Sequence, residues 1–545
     1  MARVDVEHET YETTPGIEID FDAIRYLNEC LAFKDKFENP PFVELSLVTR
    51  VPYGHEEMGV VDIASTVATQ CYSPRRAVFR PRQEQKSHKL ARRILLGGHH
   101  TTRQHFQVTY AVDNVTRAAV HDTFHFPKYY NSDQQSQRYA SIEVGGFQIP
   151  TNLTAEQKAL YMDCGMYANT AFTRLNELLA PLVNSKLRQI WPNKPSIADK
   201  VEKLVQENGR YVLPIAQFST FDYSINELQL LRLFRTSKLY GTSDESRYIL
   251  ARMVQDLISF DPTFIEELSK PLEKNVGAYG PGITPNYCVL DERFDKNLNG
   301  KNTWMEPVSI RDRLIRITRQ YLGFDETQKT DTEILKMILD PKLNTLLADV
   351  YEPAINDPAS SVLRLVSVAY DTKLAYIIDA QRERHRETPG SAPMLERIYS
   401  GKADYMTPPI VMEHPQAKEF YDKTMAELFT KVNRCLDAGI PKELVVRLLP
   451  NAYTLRLSEN GDLLNWIHRF KQRACFRAQQ EIGYVTYDQM TMLLEDLPEA
   501  EQVLQAPCGI RKRASITPFC PEGDGYCGIP VYRHNLPAYE NLRII

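Results

Sequence analysis

An α+β protein built from two copies of one unit is the fold class that this 545-residue chain predicts, and three observations point to it. Segments that alternate apolar and polar side chains are short, and helical periodicity outweighs them. One order of features, a strand, a helix and then a polar loop, occurs in the first half and again in the second. A further block, an arginine ahead of Leu-Pro followed by an asparagine and a leucine-rich helix, is also present in both halves.

The first half carries the pattern most clearly. His105-Phe106-Gln107-Val108-Thr109-Tyr110-Ala111-Val112 alternates as a half-buried strand should, after a basic amphipathic stretch that ends in Gly97-Gly98. A helix follows with Asn114 or Thr116 as its N-cap and a stop near Pro127, and a loop then delivers Gln135-Ser136-Gln137-Arg138-Tyr139. In the second half, Ser361 to Tyr370 is rich in β-branched and apolar residues. Asp371-Thr372 can cap a helix with Leu374, Ile377 and Ile378 on one face. Gln381, Arg384 and His385 continue that face, so they project together from the helix's C-terminal end, before Glu387-Thr388-Pro389-Gly390 closes it. The repeated block reads Arg210-Tyr211-Val212-Leu213-Pro214 and then Asn226, and again Arg447-Leu448-Leu449-Pro450 and then Asn460. Lys270 to Pro307 shows neither periodicity and reads as a linker. The predicted units are therefore 1–270 and 308–507, joined by a linker at 271–307 and followed by a short Cys-containing tail at 508–545.

With 65 Lys and Arg against 70 Asp and Glu, the formal net charge is −5, which argues against a protein that coats nucleic acid. No apolar run is long enough to span a bilayer and the N-terminal segment has no signal-peptide core, so a cytoplasmic protein without membrane partners is expected. Nine cysteines, an odd number, fit reduced thiols better than a disulfide framework. Cys508, Cys520 and Cys527, with His534, leave two readings open. They could form a zinc site, although short C-x2-C pairs are missing, or they could be buried thiols. His121 and His125 share a predicted helical face within reach in sequence of His99, His100 and His105. A metal could use them, but no carboxylate pattern completes a set, and no metal ligands are assigned.

Taken together, the Gln135–Tyr139 loop and the Gln381–Arg386 helix end resemble the flavin-dependent thymidylate synthase family, whose hallmark is R-H-R, seven residues, then S-x-R-Y. His99 to His105 is similar to the family's H-x5-H segment, and the two Arg–Leu-Pro blocks are similar to a later family block. Counting back from Ser136, Phe126-Pro127-Lys128 stands where the family has R-H-R. Counting forward from Arg384, Met394 and Glu396 stand where it has the serine and second arginine. The losses do not overlap.

That family builds its site at the subunit interfaces of a homotetramer, with the loop and the R-H-R residues on different chains. The resemblance therefore implies two thymidylate synthase-like units, each an antiparallel sheet with long helices, in a homodimer acting as a pseudo-tetramer. It implies Ser136, Arg138 and Arg384 as catalytic residues. Gln137, Arg138, Arg210, Gln381, Arg384 and Arg447 would bind a dUMP-like nucleotide. His99, Thr101, Gln104, His385, Arg386, Asn226 and Asn460 would hold FAD, the two asparagines being equally readable as helix caps. A third family arginine could be Arg235, Arg469 or Arg473. The implied reaction is FAD-dependent methylation of a pyrimidine nucleotide, most simply dUMP to dTMP. Methylenetetrahydrofolate would donate the carbon and NADPH would reduce the flavin. The alternatives are a degenerate flavin- or nucleotide-binding relative acting as sensor or scaffold, and a metal-dependent nucleotide enzyme.

Overall fold

Strand β2 (Gln107–Thr116) shows why the first sheet forms: Val108, Tyr110 and Val112 point into the core while their neighbours face out. The computed structural model describes residues 19–48, 59–70, 84–96, 100–125, 127, 129–239, 242–272, 287–324, 326–391 and 394–545. In it, β2 lies between β1 (Phe42–Val48) and β4 (Phe218–Asn226), with β3 (Tyr130–Gln134) on the far edge, in the order β1-β2-β4-β3. Tyr110 opposite Tyr223, and Val108 opposite Ile225, fix the register of the central pair. A second four-stranded sheet has the corresponding order, β5 (Thr303–Met305), β6 (Ser367–Ala375), β8 (Thr454–Asp462) and β7 (Gly390–Ser391). Every pairing in both sheets is antiparallel.

The two Arg–Leu-Pro blocks meet each other. Pro214 bridges Pro450, with Ile215 N–H donating to Leu449 O at 3.0 Å and Asn451 N–H to Leu213 O at 2.8 Å. Around this contact the Ala155–Ile190 helix, opened by a Thr154–Gln157 capping box, packs on the Pro415–Asp437 helix. Leu175, Leu179 and Tyr211 of the first half share one hydrophobic cluster with Tyr421, Met425 and Leu428 of the second. Each sheet also has its own hydrophobic core. No described helix is long and apolar enough to cross a membrane.

Several local expectations change. Of the two proposed caps after β2, Thr116 is the one used, its hydroxyl accepting from Ala119 N–H, whereas Asn114 lies within β2 at a bulge with φ 55°. In the second half Ser360–Leu365 is a 3₁₀ segment and the strand begins later, at Ser367. Asp371 and Thr372 are therefore strand residues, and Ala375 takes the N-cap position of the Tyr376–Arg382 helix. Thr372 is consumed in pairing with buried Glu459 at 2.9 Å, a long-range partner that local spacing does not reveal.

The expected linker holds ordered structure. Tyr287–Leu298 is helical and Thr303–Met305 is the edge strand of the second sheet, so that sheet begins before position 308. Three residues are too few to show alternation, and Asp295 on the preceding helix is held by long-range ion pairs with Arg456 and Lys373. The segment 508–545 is also no appendage: Cys508, Ile510, Val531 and Tyr539 belong to the core of the second sheet. His99, Phe126 and Lys128 lie outside the described residues.

Candidate active site between the two halves

A continuous polar network runs from the first-half loop to the second-half helix end. Arg138 pairs through Nε with Glu207 and donates from Nη2 to the Arg477 carbonyl at 2.8 Å. The Glu207 carbonyl accepts from Arg210 Nε at 3.2 Å and from Gln479 Nε2 at 3.5 Å. Gln479 Oε1 in turn accepts from Arg210 Nη2 at 2.6 Å and from Gln381 Nε2 at 3.0 Å. Arg473 completes the chain, donating from Nη2 to the Gln381 carbonyl at 2.6 Å and from Nε to His385 Nε2 at 2.9 Å.

Position in the fold explains each member. Gln381 is in the last turn of the Tyr376–Arg382 helix and His385 stands just beyond it. Arg473 ends the Leu463–Arg473 helix, and Glu207 and Arg210 sit where the Ala198–Gly209 helix tightens into a 3₁₀ turn. Ser136 is half-buried and its Oγ accepts from the Arg138 N–H at 3.2 Å, which shapes the loop.

Cations are concentrated here. Burial, then Arg469, Arg384 and Arg138, pushes the Arg473 guanidinium down to about 9. Burial also lowers Arg210 to about 9, with Arg117 and Arg138 adding to the effect against the opposing pull of Glu207. Guanidinium does not readily release its proton, so these shifts register chiefly the cost of burying the two cations, to which repulsion from neighbouring arginines adds. Burial and the neighbouring Arg473 hold His385 well below the usual histidine range. It is therefore a neutral imidazole whose Nε2 accepts from Arg473 and whose Nδ1 carries the proton. Beside Arg138 lies a small cavity of about 130 Å³, whose lining includes Lys200, Lys203 and Arg477.

A second, larger cleft of about 1200 Å³ opens between the halves. His385, Arg386 and Asn460 line it on one side and His121, His125 and Leu233 on the other. Arg386 bridges the halves, reaching the Tyr130 carbonyl and Asn131 Oδ1 (2.7 Å) and lying 4.2 Å over the Tyr130 ring. Arg386 Nε and both amide atoms of Gln137 are buried with no hydrogen-bond partner among the described residues.

The remaining expected site residues are placed as follows. Arg384 is exposed at the helix end. Asn226 caps the Glu227–Thr236 helix, its side chain accepting from Gln229 N–H at 3.0 Å. Asn460 caps nothing: it is an exposed residue of β8, and Asp462 caps the next helix instead. Thr101 and Gln104 lie in the His100–Gln104 turn, which is anchored by buried Arg103 between Glu227 and Glu267. Neither lines the cleft or the small cavity. Arg447 stays apart from Arg138, because it reaches across to Gln148 Oε1 at 2.6 Å and Glu245 Oε2 at 2.8 Å. Of the three candidates for the last arginine, Arg469 is engaged with Glu459 and Arg473 stands in the network. Glu207 and Gln479 have no local signature. One closes a helix and the other precedes one, and only the fold joins them.

His121 and His125 meet carboxylates that their own half does not supply. His121 Nε2 is 2.5 Å from Asp379 Oδ2 and 3.5 Å from Glu383 Oε1, and His125 Nδ1 is 3.0 Å from Glu383 Oε2. Asp122 sits on His121 Nδ1 at 2.8 Å, and Arg382 also pairs with Asp379. Carboxylates and cations from both halves are thus interleaved within the cluster, which reads as an ionic latch between the halves. Burial opposes protonation of His121, but Glu383, then Asp122 and Asp379, hold its pKa well above the ordinary value. Burial likewise acts to raise Asp379, yet Arg382 and His121 outweigh it and hold it below the ordinary carboxylate range. The raised imidazole stabilises fully below its unfolded value of ~6.5, and that share is lost as pH rises through the folded value. The depressed carboxylate stabilises above ~3.9, and its share is lost as pH falls through its folded value. The gap in thermal midpoint between wild type and His121→Leu should therefore be widest between about pH 4 and 6.5 and shrink in alkali and in strong acid. A gap that is flat with pH, followed by circular dichroism, would rule out an imidazolium in the latch.

Fold and site together define an α+β protein in which two similar halves share one arginine-rich polar network. The chain belongs to the thymidylate synthase complementing protein family, whose model matches residues 56–263 and 318–499. It is 21% identical over 208 residues to a flavin-dependent thymidylate synthase of Clostridium tetani, covering 37% of this chain and 80% of that protein. A second flavin-dependent thymidylate synthase, from Nitratidesulfovibrio vulgaris, is 25% identical over 166 residues, covering 29% of this chain and 65% of its own length. Among solved structures, a UMP/dUMP methylase PolB from Streptomyces cacaoi bound with 5-Br dUMP aligns at 13% identity and a TM-score of 0.32, over 43% of this chain and 97% of that one.

Proposed function

We propose that the chain is a tandem duplication of the family unit that methylates a pyrimidine nucleotide, most simply dUMP to dTMP, at a composite site shared by its halves. The observation that carries this is the unbroken network from Arg138 in the first half to Gln381, Arg473 and His385 in the second. What each half has lost of the family motif, the other retains. FAD fits the larger cleft: about 1200 Å³ exceeds the ~300–1,000 Å³ of common ligand pockets, and the unpartnered Arg386 Nε lies in a residue that lines it. When bound, the flavin, reduced by NADPH, would supply the hydride, and methylenetetrahydrofolate the carbon.

The protein's own part is positioning and charge. Arg138, Arg384 and Arg473 would hold the phosphate, with the unpartnered Gln137 amide as a further donor and acceptor. A guanidinium beside a uracil carbonyl would stabilise the negative charge that develops as C5 attacks. Neutral His385 and Arg386 would border the flavin. Two copies of the chain would make a homodimer equivalent to four family units, with Thr101 and Gln104 facing the cofactor of the partner copy.

The test is direct. Purified protein should show bound flavin in its absorption spectrum and form dTMP in a tetrahydrofolate-dependent assay. Arg138→Ala and Arg384→Ala should each lower turnover by at least about 10²-fold. Full activity in both variants would overturn the composite site, and a colourless protein that FAD cannot reconstitute would favour the sensor or scaffold reading.

A further inference from the structure

The carboxylates that His121 meets complete a donor set that neither half holds alone. His121 stands in a single π turn, Val120–Phe124, closed by the His125 N–H donating to the Val120 carbonyl at 2.9 Å; such turns are frequent at functional sites. Asp379 and Glu383 lie four apart at the end of the Tyr376–Arg382 helix, so they share the face turned toward it. One donor atom from each of the three residues lies within 4.8 Å of the other two, which no other group of His, Cys, Asp and Glu achieves among the described residues. The thiols are the weaker candidate. Cys508, Cys520 and Cys527 join Cys475 around a cavity of about 20 Å³, room for about one water, and His534 is not among its lining residues.

Each donor near His121 is aimed by a partner behind it. Asp122 Oδ1 sits 2.8 Å from His121 Nδ1, which places a proton on that nitrogen and turns Nε2 toward the carboxylates, as the carboxylate behind a metal-bound imidazole does. His125 Nδ1 holds Glu383 Oε2 at 3.0 Å, and Ser132 Oγ holds the far nitrogen of His125 at 3.0 Å. That leaves Glu383 Oε1 facing His121 Nε2 at 3.5 Å. Two ligands of a tetrahedral ion with bonds of ~2.1 Å stand ~3.4 Å apart, close to this separation. Arg382 Nη2 steadies Asp379 Oδ2 at 3.1 Å. Asp379 Oδ2 is at hydrogen-bond distance from His121 Nε2, 2.5 Å, so an ion between them requires that carboxylate to swing back by about 1 Å. Charge favours the exchange, because a divalent ion in place of one proton adds positive charge where Asp122, Asp379 and Glu383 converge.

We propose that His121, Asp379 and Glu383 bind a divalent transition-metal ion that joins the two halves at the wall of the large cleft. The ion takes the place of the His121 Nε2 proton, and in chelated protein the proton returns and the latch is ionic. His121 and Glu383 both line the cleft of about 1200 Å³, so the ion's remaining position opens into it. Imidazole suits zinc and carboxylates suit manganese, and a site that mixes them accepts both, whereas thiolates select the softer zinc.

The test strips the full chain with a chelator and titrates it with manganese(II), whose paramagnetic resonance signal falls as the hydrated ion binds. About one ion per chain should bind, raise the thermal midpoint and be displaced by zinc(II). Glu383→Gln removes a ligand and Asp122→Asn, at a partly exposed position, removes only an aiming partner. Each should weaken manganese binding by about 10–100-fold while keeping a wild-type circular dichroism spectrum. Cys527→Ser should bind manganese as wild type does. Unchanged affinity in both carboxylate variants, or no saturable binding at all, would overturn the site, and loss of binding in Cys527→Ser would move the ion to the thiols. None of these readouts uses flavin content or turnover, so the site stands or falls apart from the proposed reaction.

Discussion

Arg473→Ala is expected to lower kcat/KM for the nucleotide by about 10²–10³-fold, the usual cost of removing one preorganised donor at developing charge. The arginine does two things at once. Its Nη2 holds the Gln381 carbonyl at 2.6 Å and its Nε holds His385 at 2.9 Å, so alanine releases the helix end as well as a cation. Arg473→Lys keeps the charge but not the fork, and should fall between wild type and alanine. Isothermal titration with dUMP should show weaker binding and a shallower dependence on salt, because one fewer cation meets the phosphate. A variant whose kcat/KM stays within twofold of wild type would remove Arg473 from the site.

The largest effect on stability is expected at the mirror-related arginine. Arg447 is 3% exposed and Glu245 fully buried, so Arg447→Ala strands a carboxylate and should cost about 3–5 kcal/mol. The damage also reaches secondary structure. Glu245 accepts from the backbone N–H of Thr116 at 2.8 Å and from its hydroxyl at 2.6 Å, and Thr116 caps the helix that carries His121. Combining Arg447→Met with Glu245→Gln should recover much of the loss, because the charge goes with its partner. Urea unfolding measures both variants, and a single-variant loss under about 1 kcal/mol would mean that the pair is solvated rather than buried.

The second half has a counterpart that clarifies these roles. Glu481 accepts from the Ala375 N–H at 2.8 Å and from the Tyr211 hydroxyl at 2.6 Å, just as Glu245 joins Thr116 to Arg447. Each half thus lends a side chain to the acidic residue that secures the other's helix start. Arg210 and Arg447 begin matching sequence blocks but end in different surroundings. Arg210 joins the network of Gln479, and Arg447 is neutralised by Glu245.

Elements whose pattern is local were legible. β2 announced itself through the alternation of His105–Val112, although it runs on to Thr116, and Thr116 was one of the two caps that side-chain type offered. Failures occurred where a distant partner overrides local chemistry. Thr372 has the composition of a cap, yet Glu459 draws it into the sheet. β5 has only three residues, too few for a period, and owes its extension to pairing with β6. Three candidates stood for the third arginine, and only the fold shows that Arg473 reaches His385 and Gln381. Cys475, remote in sequence from Cys508, Cys520 and Cys527, offered no spacing to read.

The sequence by itself determined the α+β class with many helices, the family with the antiparallel sheets it implies, and the two complementary remnants, because strand period, capping preference and motif order are properties of neighbouring residues. Only the tertiary structure decided that Glu207 and Gln479 bridge those remnants, that Arg447 stands aside, and that four scattered cysteines share one cavity. The physical reason is that these depend on which groups must be paired once water is excluded. A buried guanidinium, carboxylate or amide is satisfied by whatever the fold brings within about 3 Å, however far away in the chain it began.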